Sequence, residues 1–304
     1  MFFCGLDGGG TKTALCILDS NKNVVKEAVF GPMNINGASP DTVRTTIRNA
    51  LVCISDTLPD GMADCAAITV GMAGISNQTS VWFLQKTFDD CNYHGKLLLY
   101  GDQDVALNGA INGAGAVLIA GTGSVCCGRD QYGHSFRTGG YGYLIDDVGS
   151  GYAIGRDILT AVVRANDGRY PETVLSKAVF EKLNANNIRD IITWLYAPST
   201  GKREVAEIAP LLVLAFDADD TVAIRIADQA ANDLSELVFA LWRKANLTGG
   251  ELAMTGGILN HYSFIASKVT DRIQKQLPAV CIHEPFHSPA YGAAMLALAD
   301  HVTL

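Results

Sequence analysis

Three short turns in the sequence combine glycines with hydroxyl side chains, and each directly follows an apolar run. They span residues 7–13 (DGGGTKT), 121–124 (GTGS) and 255–258 (TGGI). Consecutive glycines let backbone N–H groups converge on an anion without obstruction by Cβ atoms. Threonine and serine hydroxyls add further donors. Three such turns are hard to explain as three plain hairpins, so together they predict phosphate binding.

The first turn does not fit the common phosphate-binding motifs. Gly5 and Gly10 have the spacing of a P-loop, but Thr11 follows and the lysine comes one position late. The next segment also has the pattern of a strand, whereas a P-loop opens a helix. The GxGxxG motif is absent from this segment as well. The turn therefore belongs neither to a P-loop NTPase nor to a dinucleotide-binding domain.

Two aspartates at the ends of apolar runs are candidates for metal and proton chemistry. Asp7 ends the first run, where a carboxylate can hold a hydrated Mg²⁺ beside phosphates. Asp102 follows the run 97–101 and precedes a helix. The spacing alone leaves two roles open for it, a general base or a helix N-cap. Asp104 is expected to interact with the dipole in the first turn of that helix.

The elements that must position these residues repeat along the chain. Apolar runs at 2–6, 14–18 and 24–30, separated by the glycine turn and a polar turn, predict an antiparallel meander. The runs 116–120 and 125–128, separated by the second turn, repeat that pattern. The sequence therefore predicts an internal duplication into two related halves.

The remaining elements are predicted from the spacing of their apolar positions. Helices are expected over 41–58, 80–90, 105–112, 221–247, 258–276 and 288–298. Strands are expected over 66–70, 97–100, 252–255 and 280–283.

Composition narrows the class of protein. A chain of 304 residues with 48% hydrophobic and 18% charged residues predicts about two folded domains and excludes a disordered chain. The net charge of −8 argues against a broad nucleic-acid surface. No apolar run is long enough to cross a membrane, and no signal peptide is recognised at the N-terminus. The eight cysteines show no metal-ligand spacing, so buried, reduced thiols and a cytoplasmic location are expected.

Taken in order, these segments resemble the sugar kinase/Hsp70/actin superfamily and, within it, the BadF/BadG-type N-acetylglucosamine kinase group. The three turns resemble its first phosphate loop, its second phosphate loop and its adenosine loop. Further amino-sugar kinase signatures are matched by GPMN at 31–34, GGYG at 139–142, DVGSG at 147–151 and HSPAYGA at 287–293. The match covers essentially the whole chain and looks closest to bacterial kinases of N-acetylmuramic acid and N-acetylglucosamine.

The resemblance implies an α/β fold of two ribonuclease-H-like (actin-like ATPase) domains. Each would contain a mixed five-stranded sheet flanked by helices, with ATP in a cleft between the domains. The expected domains are 1–112 and 113–304, with the closing helix 288–304 a candidate to pack back onto the first. The implied reaction transfers the γ-phosphoryl group of ATP, with Mg²⁺, to a hydroxyl of an amino sugar, normally the 6-hydroxyl. The implied partners are a small-molecule sugar and a second copy in a homodimer, with no nucleic acid and no membrane.

The resemblance also implies roles for individual residues. Asp102 is the expected catalytic base, and Asp7 is expected to hold Mg²⁺ through water. The residues expected to bind ATP are Gly8, Gly9, Gly10, Thr11, Lys12, Thr13, Gly121, Thr122, Gly123, Ser124, Thr255, Gly256 and Gly257. The residues expected to contact the sugar are Asn34, Asp102, Thr122, Gly140, Tyr141 and Asp147.

The sequence departs from the family pattern at positions expected to contact the sugar. Where the family usually reads GDEGS, this chain has Asp146 in place of the first glycine and Val148 in place of the glutamate. Tyr141 stands where tryptophan is frequent. These departures concern sugar preference and the acceptor hydroxyl, and they leave the nucleotide turns intact.

Two alternative functions would each need a sequence feature beyond the three glycine turns. An ATPase activator of a 2-hydroxyacyl-CoA dehydratase or benzoyl-CoA reductase shares the superfamily, but it needs cysteines for an iron–sulfur cluster. Cys126 and Cys127 are adjacent on a predicted strand and are expected to point to opposite faces. A sugar sensor would need an added DNA-binding segment, and none is recognised ahead of the first turn.

Overall fold

The computed structural model describes residues 1–35, 37–75 and 77–302 of the chain. The contacts within it divide the chain into two compact units. The N-terminal unit comprises Met1–Asn112 together with the segment that begins at Pro285, and the second unit comprises Gly113–Glu284.

The secondary structure of the described residues alternates short strands with helices of very different lengths. The strands are β1 (Phe2–Gly8), β2 (Thr13–Asp19), β3 (Val24–Phe30), β4 (Cys65–Met72), β5 (Lys96–Tyr100), β6 (Gly115–Ala120), β7 (Ser124–Arg129), β8 (Ser135–Gly139), β9 (Gly250–Thr255) and β10 (Val280–His283). The helices are α1 (Pro40–Thr57), α2 (Gln78–Asp90), α3 (Asp102–Ala110), α4 (Gly151–Asn166), α5 (Val174–Leu183), α6 (Ile188–Leu195), α7 (Lys202–Ala206), α8 (Leu211–Asp217), α9 (Thr221–Lys244), α10 (Gly257–His261), α11 (Ser263–Gln276) and α12 (Pro289–Val302).

The sheet of the N-terminal unit has the strand order β3-β2-β1-β4-β5. The first three strands pair antiparallel, as the predicted meander requires, and β1, β4 and β5 pair in parallel. Parallel neighbours need a crossover connection, which α1 and α2 supply. Because parallel strands end at the same edge of a sheet, the turn after β1 and Asp102 after β5 lie at one edge.

The second unit repeats this arrangement with the strand order β8-β7-β6-β9-β10. Its first strand, β6, pairs antiparallel with β7 and parallel with β9, as β1 does with β2 and β4. The pairs Gly10-Thr11 and Gly121-Thr122 therefore lie in equivalent turns. The predicted duplication and the predicted fold class, two mixed five-stranded sheets flanked by helices, are confirmed.

The core of the second unit is built around α9, which begins where the sequence predicts. The carboxylate of Asp220 caps this helix by accepting hydrogen bonds from the N–H groups of Val222 (2.9 Å) and Ala223 (3.1 Å). Its buried face packs with α4, α11 and the sheet into one apolar cluster that includes Leu234 and Leu241. A separate cluster fills the N-terminal unit between its sheet and α1 and α2.

The helix that carries Asp102 begins earlier than the apolar spacing predicts. A helix is predicted over 105–112, whereas α3 runs from Asp102 to Ala110. The side chain of Asp104 accepts a hydrogen bond from the N–H of Gly101 at 3.2 Å, which stabilises the extra first turn. The expected first-turn role of Asp104 is confirmed, and Gly101, not Asp102, occupies the N-cap position.

Two further elements differ from the prediction. The helix predicted over 258–276 is divided at Tyr262, whose backbone (φ −112°, ψ 74°) ends α10 and whose ring is buried. The third strand of the second sheet, β8, is not predicted, because its only large apolar residue is Phe136. This strand is held instead by pairing with β7 and by a hydrogen bond from the Thr138 hydroxyl to the Leu237 carbonyl at 2.7 Å.

The cysteines agree largely with the expectation of buried, reduced thiols. None of the eight forms a disulfide among the described residues, and five of them are buried, but Cys281 is exposed on the edge strand β10. As for membrane insertion, none of the helices in the described part of the chain combines the length and apolar character that a bilayer span requires.

Gly5 on β1 provides a test of how the closing helix packs. A Cβ at this position would lie 2.1 Å from the carbonyl oxygen of Ala290 and 2.2 Å from the backbone nitrogen of Ala294. Both atoms belong to the backbone of α12, so a Gly5→Ala side chain cannot be accommodated by rotamer changes. We expect a loss of about 3 kcal/mol or more, which corresponds to a fall in Tm of roughly 6–12 °C.

The matched control is Gly10→Ala, because no atom of the residues that the structure describes lies within 4 Å of the corresponding Cβ position. Its Tm should stay within roughly 2 °C of the wild type. Equal melting temperatures for the two variants in differential scanning calorimetry would contradict the close packing of β1 on α12.

Candidate functional site

The first glycine turn, which links β1 to β2, keeps a run of backbone donors unused. The N–H groups of Gly10, Thr11 and Lys12 have no acceptor within the part of the chain that the structure describes, and all three residues are exposed. The turn is closed by a hydrogen bond from the Gly9 N–H to the Lys12 carbonyl at 3.0 Å. Unpaired, exposed amides in a glycine turn are suited to binding an anion.

The carbonyl of Gly9 fixes the loop that contains Asn34. It accepts hydrogen bonds from the N–H groups of Met33 (3.1 Å) and Asn34 (3.3 Å). The side-chain amide of Asn34 donates to the Ala73 carbonyl at 3.3 Å, and Met33 is fully buried. Asn34, a predicted sugar ligand, is therefore held directly beside the first glycine turn.

Two of the predicted hydroxyl ligands are used inside the fold. The Thr13 hydroxyl is buried and donates to the Gly31 carbonyl at 2.8 Å. The Ser124 hydroxyl donates to the Val148 carbonyl at 2.6 Å. Both side chains therefore hold a neighbouring loop against a glycine turn, and their placement argues against direct contact between these hydroxyls and a ligand.

Asp7 and Asp102 form a pair of interacting carboxylates in the N-terminal unit. Burial, and then the negative charge of Asp102, raise the pKa of Asp7 to about 6, while Lys12 acts in the opposite direction. Asp102 is exposed at the first position of α3. Because Asp104 makes the capping bond, the N-cap alternative for Asp102 is not realised.

This pair determines what kind of metal site the N-terminal unit offers. Within the described ranges, no group of three or more His, Cys, Asp or Glu side chains is arranged to hold a metal ion. Asp7 and Asp102 repel each other, and a cation would relieve that repulsion. These residues fit a hydrated Mg²⁺ bound largely through water better than a fully ligated ion.

The second glycine turn, between β6 and β7, is tied to the start of α4. The Gly121 carbonyl accepts from the N–H of Gly151 at 2.8 Å, and the Thr122 carbonyl accepts from the N–H of Tyr152 at 3.3 Å. The N–H groups of Thr122 and Gly123 find no acceptor among the described residues. This turn thus repeats the arrangement of the first, with its carbonyls paired and consecutive amides unpaired.

The third turn lies next to the second in the same unit. Gly256 follows β9 with φ 103° and is the N-cap of α10, as the predicted strand–turn–helix pattern requires. A Cβ on Gly256 would be 2.4 Å from the Ala120 carbonyl oxygen, immediately before the second turn. Thr255 pairs with Ile119 of β6, so both turns lie at the same edge of the sheet.

The loop after β8 presents an exposed aromatic ring. Gly139 and Gly140 have positive φ values of 72° and 75°, and the guanidinium of Arg137 donates to both of their carbonyls. The Tyr141 ring is 64% exposed and lies 4.9 Å from the Arg137 guanidinium. It is therefore not a packed core tyrosine. The Tyr141 N–H donates to the carboxylate of Asp146 at 3.0 Å, which gives that departure from the family pattern a structural role.

Asp147 lies against the second turn together with a residue that the sequence did not single out. Its carboxylate Oδ2 is 2.6 Å from Nζ of Lys202, at the start of α7. A Cβ on Gly123 would lie 2.9 Å from Asp147 Oδ2 and 2.6 Å from Lys202 Nζ, so only glycine leaves room for this ion pair. No signal in the sequence marks Lys202, because its partner is distant along the chain and its neighbours form an ordinary surface helix.

Comparisons with known proteins show which family the sequence matches. The sequence model of the BadF/BadG/BcrA/BcrD ATPase family matches residues 4–297. The chain is 29% identical to an N-acetylmuramic acid/N-acetylglucosamine kinase of Clostridium acetobutylicum, over 98% of this chain and 99% of that protein. It is 30% identical to an N-acetyl-D-glucosamine kinase of Dictyostelium discoideum, over 97% of each chain.

A solved structure shows a similar fold. It is a protein of Chromobacterium violaceum, solved as a candidate N-acetylglucosamine kinase, which superposes with a TM-score of 0.79 at 23% identity. The match covers 97% of this chain and 98% of that one. At this level of identity the likeness concerns the fold.

The raised pKa of Asp7 predicts that this carboxylate destabilises the protein at neutral pH. Raising its pKa from the ordinary 3.8 to about 6 means that the folded protein holds the proton more tightly than the unfolded chain. Stability is therefore lost as the pH rises from about 4 to 6, by about 3 kcal/mol in total. Asp7→Asn removes this penalty, so the variant should melt at a higher temperature than the wild type at pH 7.5.

The difference between the two melting curves should shrink toward pH 4 and vanish below the ordinary pKa of 3.8, where Asp7 is protonated in both the folded protein and the unfolded chain. Thermal melts of both proteins from about pH 3 to 8 measure it. A variant that melts below the wild type across this range would show that the Asp7 carboxylate is stabilised by the fold.

Proposed function

The chain belongs to the BadF/BadG/BcrA/BcrD ATPase family, and we propose that it is an ATP-dependent amino-sugar kinase. It transfers the γ-phosphoryl group of ATP to a hydroxyl, the 6-hydroxyl, of a sugar such as N-acetylglucosamine or N-acetylmuramic acid. The observation that carries the proposal is the exposed Asp102 carboxylate beside Asp7, at the sheet edge that also holds the first glycine turn. Two relatives that match this chain over nearly their whole length are named as amino-sugar kinases, and they support the same reaction.

Asp102 serves as the general base in this proposal. Its carboxylate accepts the proton of the sugar hydroxyl while the hydroxyl oxygen bonds to the γ-phosphorus and the bond to ADP breaks. Phosphoryl transfer depends mainly on positioning and charge neutralisation, with one carboxylate near the nucleophile. An exposed aspartate at the first position of a helix meets that requirement because its carboxylate is accessible to a bound acceptor.

The glycine turns bind the nucleotide mainly through backbone groups. The unpaired amides of Gly10, Thr11 and Lys12, and those of Thr122 and Gly123, donate to phosphate oxygens. The ammonium of the exposed Lys12 adds positive charge. Gly8 and Gly9 shape the first turn, and Gly121 shapes the second. Thr255, Gly256 and Gly257 contact the adenosine, as the resemblance implies.

Mg²⁺ would be held by Asp7 through water, and it would supply charge neutralisation for the phosphate chain. Asp7 is suited to this because the nearby charge of Asp102 already favours a cation at this edge. The contribution of the protein is to keep the two carboxylates close together at the end of β1 and the start of α3.

Each predicted sugar ligand is held in place by contacts within its own unit. Asn34 is held beside the first turn by the Gly9 carbonyl, and Asp147 is held against the second turn by Lys202. The exposed ring of Tyr141, with Gly140 before it, provides an apolar face for the sugar ring. Thr122 completes the predicted set.

The alternative function, an ATPase activator with a shared iron–sulfur cluster, is not favoured. Cys126 and Cys127 are both buried in β7, and burial raises the pKa of the Cys126 thiol well above its usual range. Cluster ligation needs accessible thiolates. The named relatives are kinases.

We also propose that the enzyme works in the cytoplasm as a homodimer. Eight cysteines that form no disulfide among the described residues support a reducing compartment. The homodimer rests on the family resemblance, and sedimentation equilibrium of the purified protein tests it.

The reaction is tested by coupled ADP release with ATP and Mg²⁺. The acceptors are N-acetylglucosamine, N-acetylmuramic acid, glucosamine and glucose. We expect ADP to form when one of the two N-acetylated sugars is present and not with ATP alone. ADP release that no sugar stimulates would contradict the proposal.

Asp102→Asn tests the base. Removing the proton acceptor should lower kcat by roughly 10²–10⁴-fold, while the affinity for ATP, measured by calorimetry, stays within about threefold of the wild type. The matched control is Asp104→Asn, two residues away on the same helix. It weakens the cap at Gly101 and should lower stability by roughly 1 kcal/mol, with kcat largely retained. Normal turnover by Asp102→Asn would show that another group accepts the proton.

A further inference from the structure

Asp147 is a buried carboxylate of which one oxygen is paired and the other is not. Its side chain is only 4% exposed, and Oδ2 accepts from Lys202 Nζ at 2.6 Å. Oδ1 makes no hydrogen bond with any residue that the structure describes. It is also not among the fully enclosed polar atoms that lack a partner, so it retains contact with solvent. A nearly buried carboxylate oxygen with an open acceptor position is suited to a donor brought by a ligand.

The backbone holds Asp147 in an uncommon conformation that directs this carboxylate. Its φ of 56° lies in the left-handed region, which non-glycine residues seldom occupy. Its carbonyl accepts from the Ser150 N–H at 3.3 Å, at the start of α4. Such backbone strain is retained where the surrounding structure fixes it, and it is frequent at ligand-binding positions.

Lys202 is held in place as firmly as its partner. It occupies the first position of α7, where the carboxylate of Glu204 accepts from the Gly201 N–H at 2.8 Å. The α7 helix lies so close to α4 that a Cβ on Gly155 would be 2.0 Å from the Val205 carbonyl oxygen. The ammonium therefore approaches Asp147 from a rigid support.

We propose that Lys202 is a positioning residue for the sugar acceptor. Its ammonium holds Oδ2 of Asp147, so that Oδ1 faces the acceptor and takes a hydrogen bond from a sugar hydroxyl. Lys202 also balances the negative charge, since an unpaired carboxylate would be costly to bury. This inference rests on the proposed kinase function and deepens it, because it assigns acceptor affinity to a residue outside the family motifs.

A hydrogen bond to a ground-state hydroxyl affects the binding of substrate and transition state alike. Its loss therefore raises the KM for the acceptor and leaves kcat nearly unchanged. If the Lys202 ammonium instead served the nucleotide, its loss would change the KM for ATP or kcat. A purely structural ion pair would change the melting temperature alone.

The experiment measures KM for the acceptor, KM for ATP and kcat by ADP release, together with calorimetric binding of the sugar. Lys202→Met removes the charge and keeps the length of the side chain. We expect its KM and Kd for the acceptor to rise at least tenfold, with KM for ATP within about twofold and kcat within about threefold. Lys202→Arg keeps the charge and should recover most of the acceptor affinity.

Arg203→Gln is the matched control. It removes one positive charge from the adjacent position of the same helix, where Arg203 pairs with Glu207 on an exposed surface. All three kinetic constants should match the wild type. If Lys202→Met melts too low to assay, Lys202→Gln keeps a donor toward Oδ2 without the charge. It should show the same selective rise in acceptor KM.

The proposal is overturned if the folded Lys202 variants keep wild-type acceptor KM and Kd, or if the loss falls on ATP. A wild-type enzyme that phosphorylates no amino sugar overturns the kinase function and this inference together. An active wild type with unaffected Lys202 variants overturns this inference alone.

Discussion

The candidate site depends on which backbone groups of the glycine turns are paired within the protein and which are left open for a ligand. A turn that binds an anion through amides must leave those amides unpaired, which ordinarily costs stability. In both units the carbonyls of the turn compensate by fixing the next functional segment. The Gly9 carbonyl accepts from the Asn34 loop, and the Gly121 carbonyl accepts from the N–H of Gly151 at the start of α4. Each turn thus leaves consecutive N–H groups open to solvent and pairs its carbonyls with neighbouring segments of the protein. Those segments carry further site residues, which are held beside the turn.

Some side chains that the sequence suggests as ligand-binding groups are likewise paired within the protein. Thr13 and Ser124 belong to the phosphate motifs, yet their hydroxyls donate to carbonyls of the following loops. Asp146, a departure from the family pattern, accepts a hydrogen bond from the Tyr141 N–H and so restrains the loop that carries Tyr141. A motif in the sequence therefore contains two kinds of residue, those that face the ligand and those that keep the turn in shape.

Much of the fold, and the choice of most candidate site residues, follow from local sequence features. Apolar runs, and the glycines that end them, determine the strands around the glycine turns, the repeated strand order and the position of Asp102. The break at Tyr262 and the strand β8 are not predicted, because each depends on packing and pairing with distant segments. Lys202 could not be identified either. Its contact with Asp147 depends on the close packing of α7 on α4, and no local pattern reveals that packing.

The segment that begins at Pro285 has a consequence for synthesis as well as for structure. It belongs to the N-terminal unit, and its helix α12 lies directly on the bare backbone of β1 at Gly5. A ribosome translates β1 before the second unit and α12 after it. The N-terminal unit therefore begins to emerge before the second unit but is completed after it, and one face of its central strand stays uncovered until α12 has been made. The second unit, whose segments are continuous in sequence, can fold during that interval.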